Sequence, residues 1–600
     1  MTVLRHWVSG IAAASLALSA CTEGGDTARI NVVLITLDTT RADALGCYGG
    51  TIAPTPALDQ LAKEGVLFET AIAPVSVTMP THTTLLTSLW PFAHGVRDNG
   101  IFSLSRRAVT LAELFKEAGY ATGAVVAAFV LDSQFGLDQG FDLYDDRVSS
   151  RVWLAAGLQD RRADEVTARG LEFVAAHAGG PFFLWLHYFD PHGSYDPPSP
   201  YKEQYRTSPY YGEVAFMDAE IGRFLAGLRA RGLMESTLIV AVADHGESLG
   251  QHGEDTHGYF IYDSTMRVPL LMRGPRLPQG RRVAGVTRLI DVMPTVLEAA
   301  GLEIPPGLQG ISLFDAACGQ SPVPELVSYL ETYTPFYNFA WCPLEGVRDG
   351  DWKYIQAPSP ELYDLRSDPG EERNVVALHH DVTSRLREKL SAMKGRVTET
   401  LAETVALSSE AVAQLAALGY TAAPAPTPVF TGRDPKEVIH LVRYRNLGCG
   451  MADRGDLDGA IREFRRVLVE NPENAQVRGF LGSALAMKGL VEEARQELLA
   501  AVERQPWLYT CQYTLGLCYG RLGDRETMRR HFLAALQYHA RYIEPARDLA
   551  VMYTEDGNEQ EAGRYLELCR NILAGRPDEM AKVERLVAQA RTRTPSRKGP

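Results

Sequence analysis

Val32-Val33-Leu34-Ile35-Thr36-Leu37-Asp38 and, far downstream, Leu238-Ile239-Val240-Ala241-Val242-Ala243-Asp244-His245-Gly246-Glu247 decide the fold. Each is a short apolar run of the kind that forms a buried strand in a mainly parallel sheet. Each ends in a carboxylate, which puts Asp38 and Asp244 at the strands' C-terminal edge. In open α/β sheets that edge is where ligands bind. About forty residues after the first strand comes Thr78-Met79-Pro80-Thr81-His82. Two strand-end carboxylates and a hydroxyl at a turn predict convergence on a metal, because a hydroxyl beside a divalent cation is a nucleophile at neutral pH.

The surrounding pattern agrees. Leu58–Glu64, Val109–Ala118 and Tyr211–Leu228 read as amphipathic helices, and Pro181–His187 as a buried strand. Another helix opens at Asp291–Thr295, and Val347–Leu365 reads as a small antiparallel hairpin unit. Strand and helix alternation of this kind implies a sheet flanked by helices. Eight of the fourteen histidines lie between His82 and His257, so ligand-capable side chains concentrate there. Of these, His94 is expected to be structural, His177 solvated, and His187 part of the core or of the site wall. Lys353, in Asp351-Trp352-Lys353-Tyr354, is expected as a solvated edge lysine, with a reach to the substrate as the alternative. Asp38 alone would read as a helix cap and Thr78 alone as a turn residue; it is their joint order that favours a site.

That order resembles the sulfatases and the wider alkaline-phosphatase superfamily. The matching segments include Asp38-Thr39-Thr40-Arg41-Ala42-Asp43, Leu45-Gly46-Cys47-Tyr48-Gly49, Pro54-Thr55-Pro56, His94-Gly95-Val96-Arg97-Asp98-Asn99, Asp190-Pro191-His192, Asp244-His245-Gly246-Glu247, Arg267-Val268-Pro269 and Leu362-Tyr363-Asp364-Leu365. Three positions depart from the sulfatase pattern. Thr78 stands where sulfatases have the Cys or Ser that becomes formylglycine, with His82 at their arginine position. A secondary alcohol cannot yield that aldehyde. The paired aspartates after the first strand read Asp38-Thr39. The later Lys-Trp-His-type segment is replaced by the apolar run Gly123–Phe129.

The Thr78–His82 region is similar instead to nucleotide pyrophosphatase/phosphodiesterases, which use a Thr nucleophile and two zinc ions. That resemblance implies Thr78 and His82 as catalytic residues and Asp38, Thr78, Asp244 and His245 as one metal site. Asp190, His192 and His257 (or His252) are the candidates for a second site, and Asn99 and His252 for substrate binding. The implied cofactor is a divalent metal, zinc before calcium, in one or two ions. The implied reaction is hydrolysis of phosphate mono- or diesters. A sulfatase without formylglycine is the alternative, and a non-catalytic envelope scaffold a third reading.

Six hundred residues exceed one ordinary domain. A net charge of −14 argues against a nucleic-acid partner. At the N-terminus, Arg5-His6 precede an apolar stretch too short to span a bilayer, followed by Leu18-Ser19-Ala20-Cys21. This resembles a bacterial lipobox and implies a lipid on Cys21, with the protein anchored on the periplasmic or extracellular face of a bacterial envelope. The other seven cysteines show no CxxC spacing. Cys511 and Cys518 read as core, while Cys318 and Cys342 either pair or stay free.

Thr421-Ala422-Ala423-Pro424-Ala425-Pro426-Thr427-Pro428 reads as a semi-rigid linker. Beyond it Gly455, Gly489, Gly523 and Gly557 recur every 34 residues, with Ala460, Ala494 and Ala562 in the same register. That period is the tetratricopeptide signature, a helix–turn–helix solenoid with a concave groove for a protein or peptide.

The expected architecture is therefore α/β: an alkaline-phosphatase-like central, mainly parallel sheet flanked by helices, a small antiparallel C-terminal subdomain, then an all-α solenoid. The expected boundaries are a lipoprotein-type signal at 1–21, a tether at 22–30 and a hydrolase domain at 31–420, with its C-terminal subdomain at about 325–375. They continue with a linker at 421–434, a solenoid at 435–588 and a basic tail at 589–600. The linker predicts that solenoid and hydrolase are separable.

Overall fold

The computed structural model describes residues 29–147, 151–153, 158–395, 402–404, 432–538, 542–573 and 577–593. The signal and lipidation calls, Cys21 included, and the linker up to residue 431 lie outside the described residues.

Eight strands form the central sheet: β1 (Asn31–Leu37), β2 (Val66–Ile72), β3 (Ala121–Val125), β4 (Leu143–Asp145), β5 (Phe182–Tyr188), β6 (Thr237–Ala243), β7 (Arg267–Arg273) and β8 (Arg281–Arg288). Their spatial order is β8-β2-β7-β6-β1-β5-β3-β4, and β7 alone runs against the rest. β1 lies at the centre because every residue from Asn31 to Leu37 is buried, so neither face needs polar positions. Leu37 pairs with Ala243 of β6 and with Tyr188 of β5. This register brings the next residues, Asp38 and Asp244, side by side at one sheet edge.

Helices Pro56–Glu64, Leu111–Glu117 and Pro209–Ala230 appear where the apolar spacing predicts them, and Ala163–His177 is a further helix. Thr110 and Glu113 form a reciprocal cap at the start of the second. In the longest helix, Asp218 accepts the amides of Ala57 and Leu58 and ties two helices together.

A second, antiparallel sheet contains β9 (Val327–Thr332), β10 (Leu344–Asp349), β11 (Trp352–Gln356) and β12 (Glu361–Asp364), in that order. The small antiparallel unit is thus real, with two more strands than the sequence suggests. Lys353 on β11 is not a solvated edge lysine. It is fully buried, with Nζ 2.8 Å from Asp263 Oδ1 and 2.8 Å from Glu371 Oε1. The two carboxylates compensate an ammonium that burial would otherwise expel. Cys318 and Cys342 are both free thiols, and Cys511 and Cys518 are buried.

The C-terminal part consists of paired helices: His440–Asp453 with Leu457–Glu470, Ala475–Lys488 with Val491–Arg504, Tyr509–Arg521 with Arg525–Tyr538, and Ile543–Glu555 with Glu559–Ile572. Pro577–Arg593 follows and takes in the start of the expected tail. The four recurrent glycines sit at φ between 72° and 89°, the left-handed turn after each first helix. Ala460, Ala494 and Ala562 are buried where the helices approach.

The solenoid is not an independent body. One apolar cluster joins Tyr259, Ile261, Phe339, Trp341 and Ile355 of the hydrolase to Val438, just before the first repeat, and to Leu441 and Phe464 within it. The Cys342 amide donates to the Arg433 carbonyl, and Lys436 Nζ lies 2.9 Å from Glu361 Oε1.

Candidate active site

The Thr78–Thr87 helix starts at the sheet edge, and all ten of its residues are buried. Thr78 is its first residue, with Val77 still extended. The orphan amide of Met79 donates to Asn99 Oδ1 at 2.8 Å, which satisfies one of the helix's free N–H groups. Thr78 Oγ1 lies 3.4 Å from His245 Nε2.

Asp38, Asp244 and His245 are fully buried and each offers a ligand atom within 4.8 Å of the others'. Asp244 Oδ1 accepts the amides of His245 (2.7 Å) and Thr39 (3.3 Å). Asp38 Oδ2 is 3.2 Å from His187 Nε2. The remaining oxygens, Asp38 Oδ1 and Asp244 Oδ2, are buried with no hydrogen-bond partner. Two neighbouring unsolvated carboxylates are costly unless a cation lies between them. Burial lifts Asp38 to about 8 and raises Asp244 well above the carboxylate range. Burial holds His245 far below its ordinary value, which keeps it neutral, the form that ligates metal. His245 Nδ1 faces the Gly246 carbonyl at 3.0 Å, which leaves Nε2 as the ligating nitrogen. The residues present therefore fit a divalent cation.

The other expected ligands are distributed differently. His192 is held near the cluster: its ring stacks on Phe189 and lies 5.3 Å from that of His257. Its amide donates to Glu213, and its Nδ1 faces the Gly193 carbonyl. His257 lies 4.5 Å, ring to ring, from His245. Burial pushes its imidazolium down, but Glu247, 3.1 Å away, overrides this and lifts His257 to about 9. Asp190 Oδ2 instead accepts the amide of Ala163 at 2.9 Å, at the start of the Ala163–His177 helix. His252 points away from the cluster. It stacks on Tyr262 at 3.8 Å and lines an outer cavity of about 450 Å³ with Arg41, Arg267 and Arg348. His82 lies one turn after Thr78 with Nδ1 2.8 Å from the Thr78 carbonyl and 3.6 Å from Asp244 Oδ2. Burial keeps it neutral, and its Nε2 has no partner.

Sequence reasoning gave no role to Glu247 and Tyr195 of this cluster, and it placed His187 in the core or the site wall without a partner. His187 receives the Ala127 amide at Nδ1 (3.2 Å), so Nε2 carries the proton and donates to Asp38. Glu247 bridges His257 and the Tyr195 hydroxyl (2.8 Å). The signal for Glu247 was its place in Asp-His-Gly-Glu, and for His187 its place on β5 directly beside Thr36. Tyr195 carried none. His94 is structural as expected, buried with Nε2 3.0 Å from Thr84 Oγ1.

The chain matches the sulfatase family model over residues 30–302, a model of the N-sulphoglucosamine sulphohydrolase C-terminal region over 250–396, and a tetratricopeptide model over 446–506. It is 32% identical to bovine arylsulfatase K over 193 residues, 31% of this chain and 36% of that protein. It thus spans about a third of that relative's length. It is 26% identical to an uncharacterized sulfatase of Escherichia coli over 60% of this chain and 86% of the relative. The crystal structure of a phosphonate monoester hydrolase of Agrobacterium radiobacter shares the fold, with a TM-score of 0.53 at 23% identity, covering 61% of this chain and 96% of that one. Sulfatases are ester hydrolases, and this chain joins a sulfatase-family domain of the alkaline-phosphatase superfamily to C-terminal tetratricopeptide repeats.

Proposed function

We propose that the chain hydrolyses phosphate mono- or diesters with Thr78 as nucleophile and a divalent cation, zinc by preference, at Asp38, Asp244 and His245. The observation that carries this reading is the Thr78 hydroxyl at a helix N-terminus, buried against an imidazole and two aspartates whose outer oxygens lack partners. Mixed oxygen and nitrogen donors suit zinc better than calcium. The bound cation supplies activation of the hydroxyl and neutralises charge on the phosphoryl oxygens.

The chain's own groups do the rest. Thr78 Oγ1 gives up its proton to water and forms a bond to phosphorus as the bond to the alcohol oxygen breaks. The Asn99 amide group, whose Nδ2 is buried without a partner, and the positive end of the Thr78–Thr87 helix receive the non-bridging oxygens. His257, oriented by Glu247, gives its proton to the departing alcohol. A water that passes its proton back to His257 then bonds to phosphorus as the Oγ1–phosphorus bond breaks, and Thr78 Oγ1 is reprotonated from water as the phosphate product leaves. His192 walls the same space beside His257.

Thr78 favours phosphate over sulfate because it lacks the aldehyde chemistry of formylglycine. Turnover of bis(p-nitrophenyl) phosphate and p-nitrophenyl sulfate by the same metal-loaded protein decides the matter. A preference for the sulfate ester would replace this reading by that of a formylglycine-free sulfatase, and turnover of neither by that of a scaffold. We place the enzyme on a bacterial envelope surface through a lipid on Cys21, with the solenoid free to take a protein or peptide partner.

A further inference from the structure

The first solenoid repeat reaches the catalytic cluster through a specific chain of contacts. The segment from Glu247 to Tyr262 carries His257. Within it, buried Glu254 accepts the Ser248 hydroxyl at 2.6 Å and the Tyr259 amide at 2.7 Å. Beyond His257, the Gly258 carbonyl accepts the Thr332 hydroxyl and the Phe260 carbonyl accepts that of Ser76. These bonds fix the backbone of the segment but not the outer end of the Tyr259 side chain, which extends to the solenoid.

There the Tyr259 hydroxyl accepts Asn338 Nδ2 at 3.2 Å and feels the positive charge of the Arg445 guanidinium. Arg445 belongs to the first solenoid helix, is only 4% exposed, and lies over the Phe339 ring at 5.3 Å. Asn471 and Asn474, from the turn between the first two repeats, donate to the carbonyls of Phe339 and Asn338. The helix they grip, Thr334–Phe339, begins at Thr334, whose hydroxyl donates to Asp98 beside Asn99. Ile439 closes the other end: a β-carbon on Gly253 would lie 3.4 Å from it. The exposed Arg443–Asp255 pair, at 4.0 Å, adds little.

A repeat that only packed against the hydrolase would need apolar contacts. A buried guanidinium laid over the Phe339 ring and beside a phenol two residues from a site histidine is a costlier arrangement, and it constrains direction. We propose that Arg445 is a positioning residue: through Tyr259 it holds the His257 segment, so the first repeat is a working part of the active site. This rests on His257 acting in the site, as proposed above.

The test is a double-mutant cycle in the full-length, metal-loaded protein with Arg445→Met, Tyr259→Phe and both together, read on phosphate-ester turnover. Positioning through the phenol predicts a fall in kcat of about tenfold for Arg445→Met, with KM and metal content little changed. It also predicts a double variant no slower than the slower single one. Additive losses, or a kcat per folded molecule unchanged in Arg445→Met, would overturn the proposal. Should Arg445→Met unfold, Arg445→Lys keeps a donor and tests the same coupling with Tyr259→Phe. His257→Ala separates the two readings: full activity in that variant removes His257 from the reaction, whatever the cycle shows.

Discussion

His187 Nε2 donates to Asp38 Oδ2 at 3.2 Å while its Nδ1 accepts the Ala127 amide at 3.2 Å. Both ring nitrogens are thus assigned, and the aspartate is turned so that Oδ1 faces the space shared with Asp244 and His245. Such outer partners orient ligands and tune their affinity. His187→Ala is expected to weaken metal binding roughly 10–100-fold, measured by competition with a chromophoric chelator. Unchanged affinity would place the cation elsewhere.

Removing the metal should lower the melting temperature, because Asp38 and Asp244 then face each other without compensation. In Asp38→Asn/Asp244→Asn the same chelator should shift the melting temperature far less. An equal shift in both proteins would separate the chelator effect from this cluster.

Thr78→Ala should reduce turnover roughly 10³-fold or more while leaving the fold intact. Circular dichroism checks the fold, and mass spectrometry of quenched wild-type enzyme should find phosphate on Thr78. Near-normal turnover in the folded variant would exclude Thr78 as the nucleophile.

Asp98 supplies a pH signature. Burial raises its carboxyl from 3.8 to about 7, so between those values the folded chain keeps a proton that the unfolded chain has lost. Stability therefore falls as pH rises through this window, by on the order of 4 kcal/mol in total above about pH 7. Asp98→Asn keeps the acceptor for the Asn99 amide and the Thr334 hydroxyl and has no such loss. Denaturant unfolding of both proteins at pH 4, 5.5 and 8 should show the variant's relative advantage growing with pH. A constant difference would refute the assignment.

A chain ending at Ala422 should expose Phe339, Trp341, Tyr259 and Ile261, which now pack in one cluster with the first repeat. We expect it to aggregate or to melt well below the full chain, because burial of such side chains contributes roughly 1.5–3 kcal/mol each. A soluble truncated protein with an unchanged melting temperature would restore the separable picture drawn from the linker.

The sequence by itself determined the elements and their chemistry. Unbroken apolar runs gave β1 and β6, their terminal carboxylates gave Asp38 and Asp244, and the recurring glycines gave the solenoid, because strand burial, strand ends and left-handed turns are all local properties of the chain. Tertiary structure alone decided which polar side chains meet. Asp190 went to a helix N-terminus and His252 to an outer cavity, while His187 joined Asp38 because β5 is the strand next to β1. Lys353 was internalised by two acids that lie apart from it in sequence. Arg445 came to Tyr259 through a domain contact that an apparent linker conceals. A side chain's partner depends on strand order and on packing between distant segments, and no spacing within a single segment encodes either.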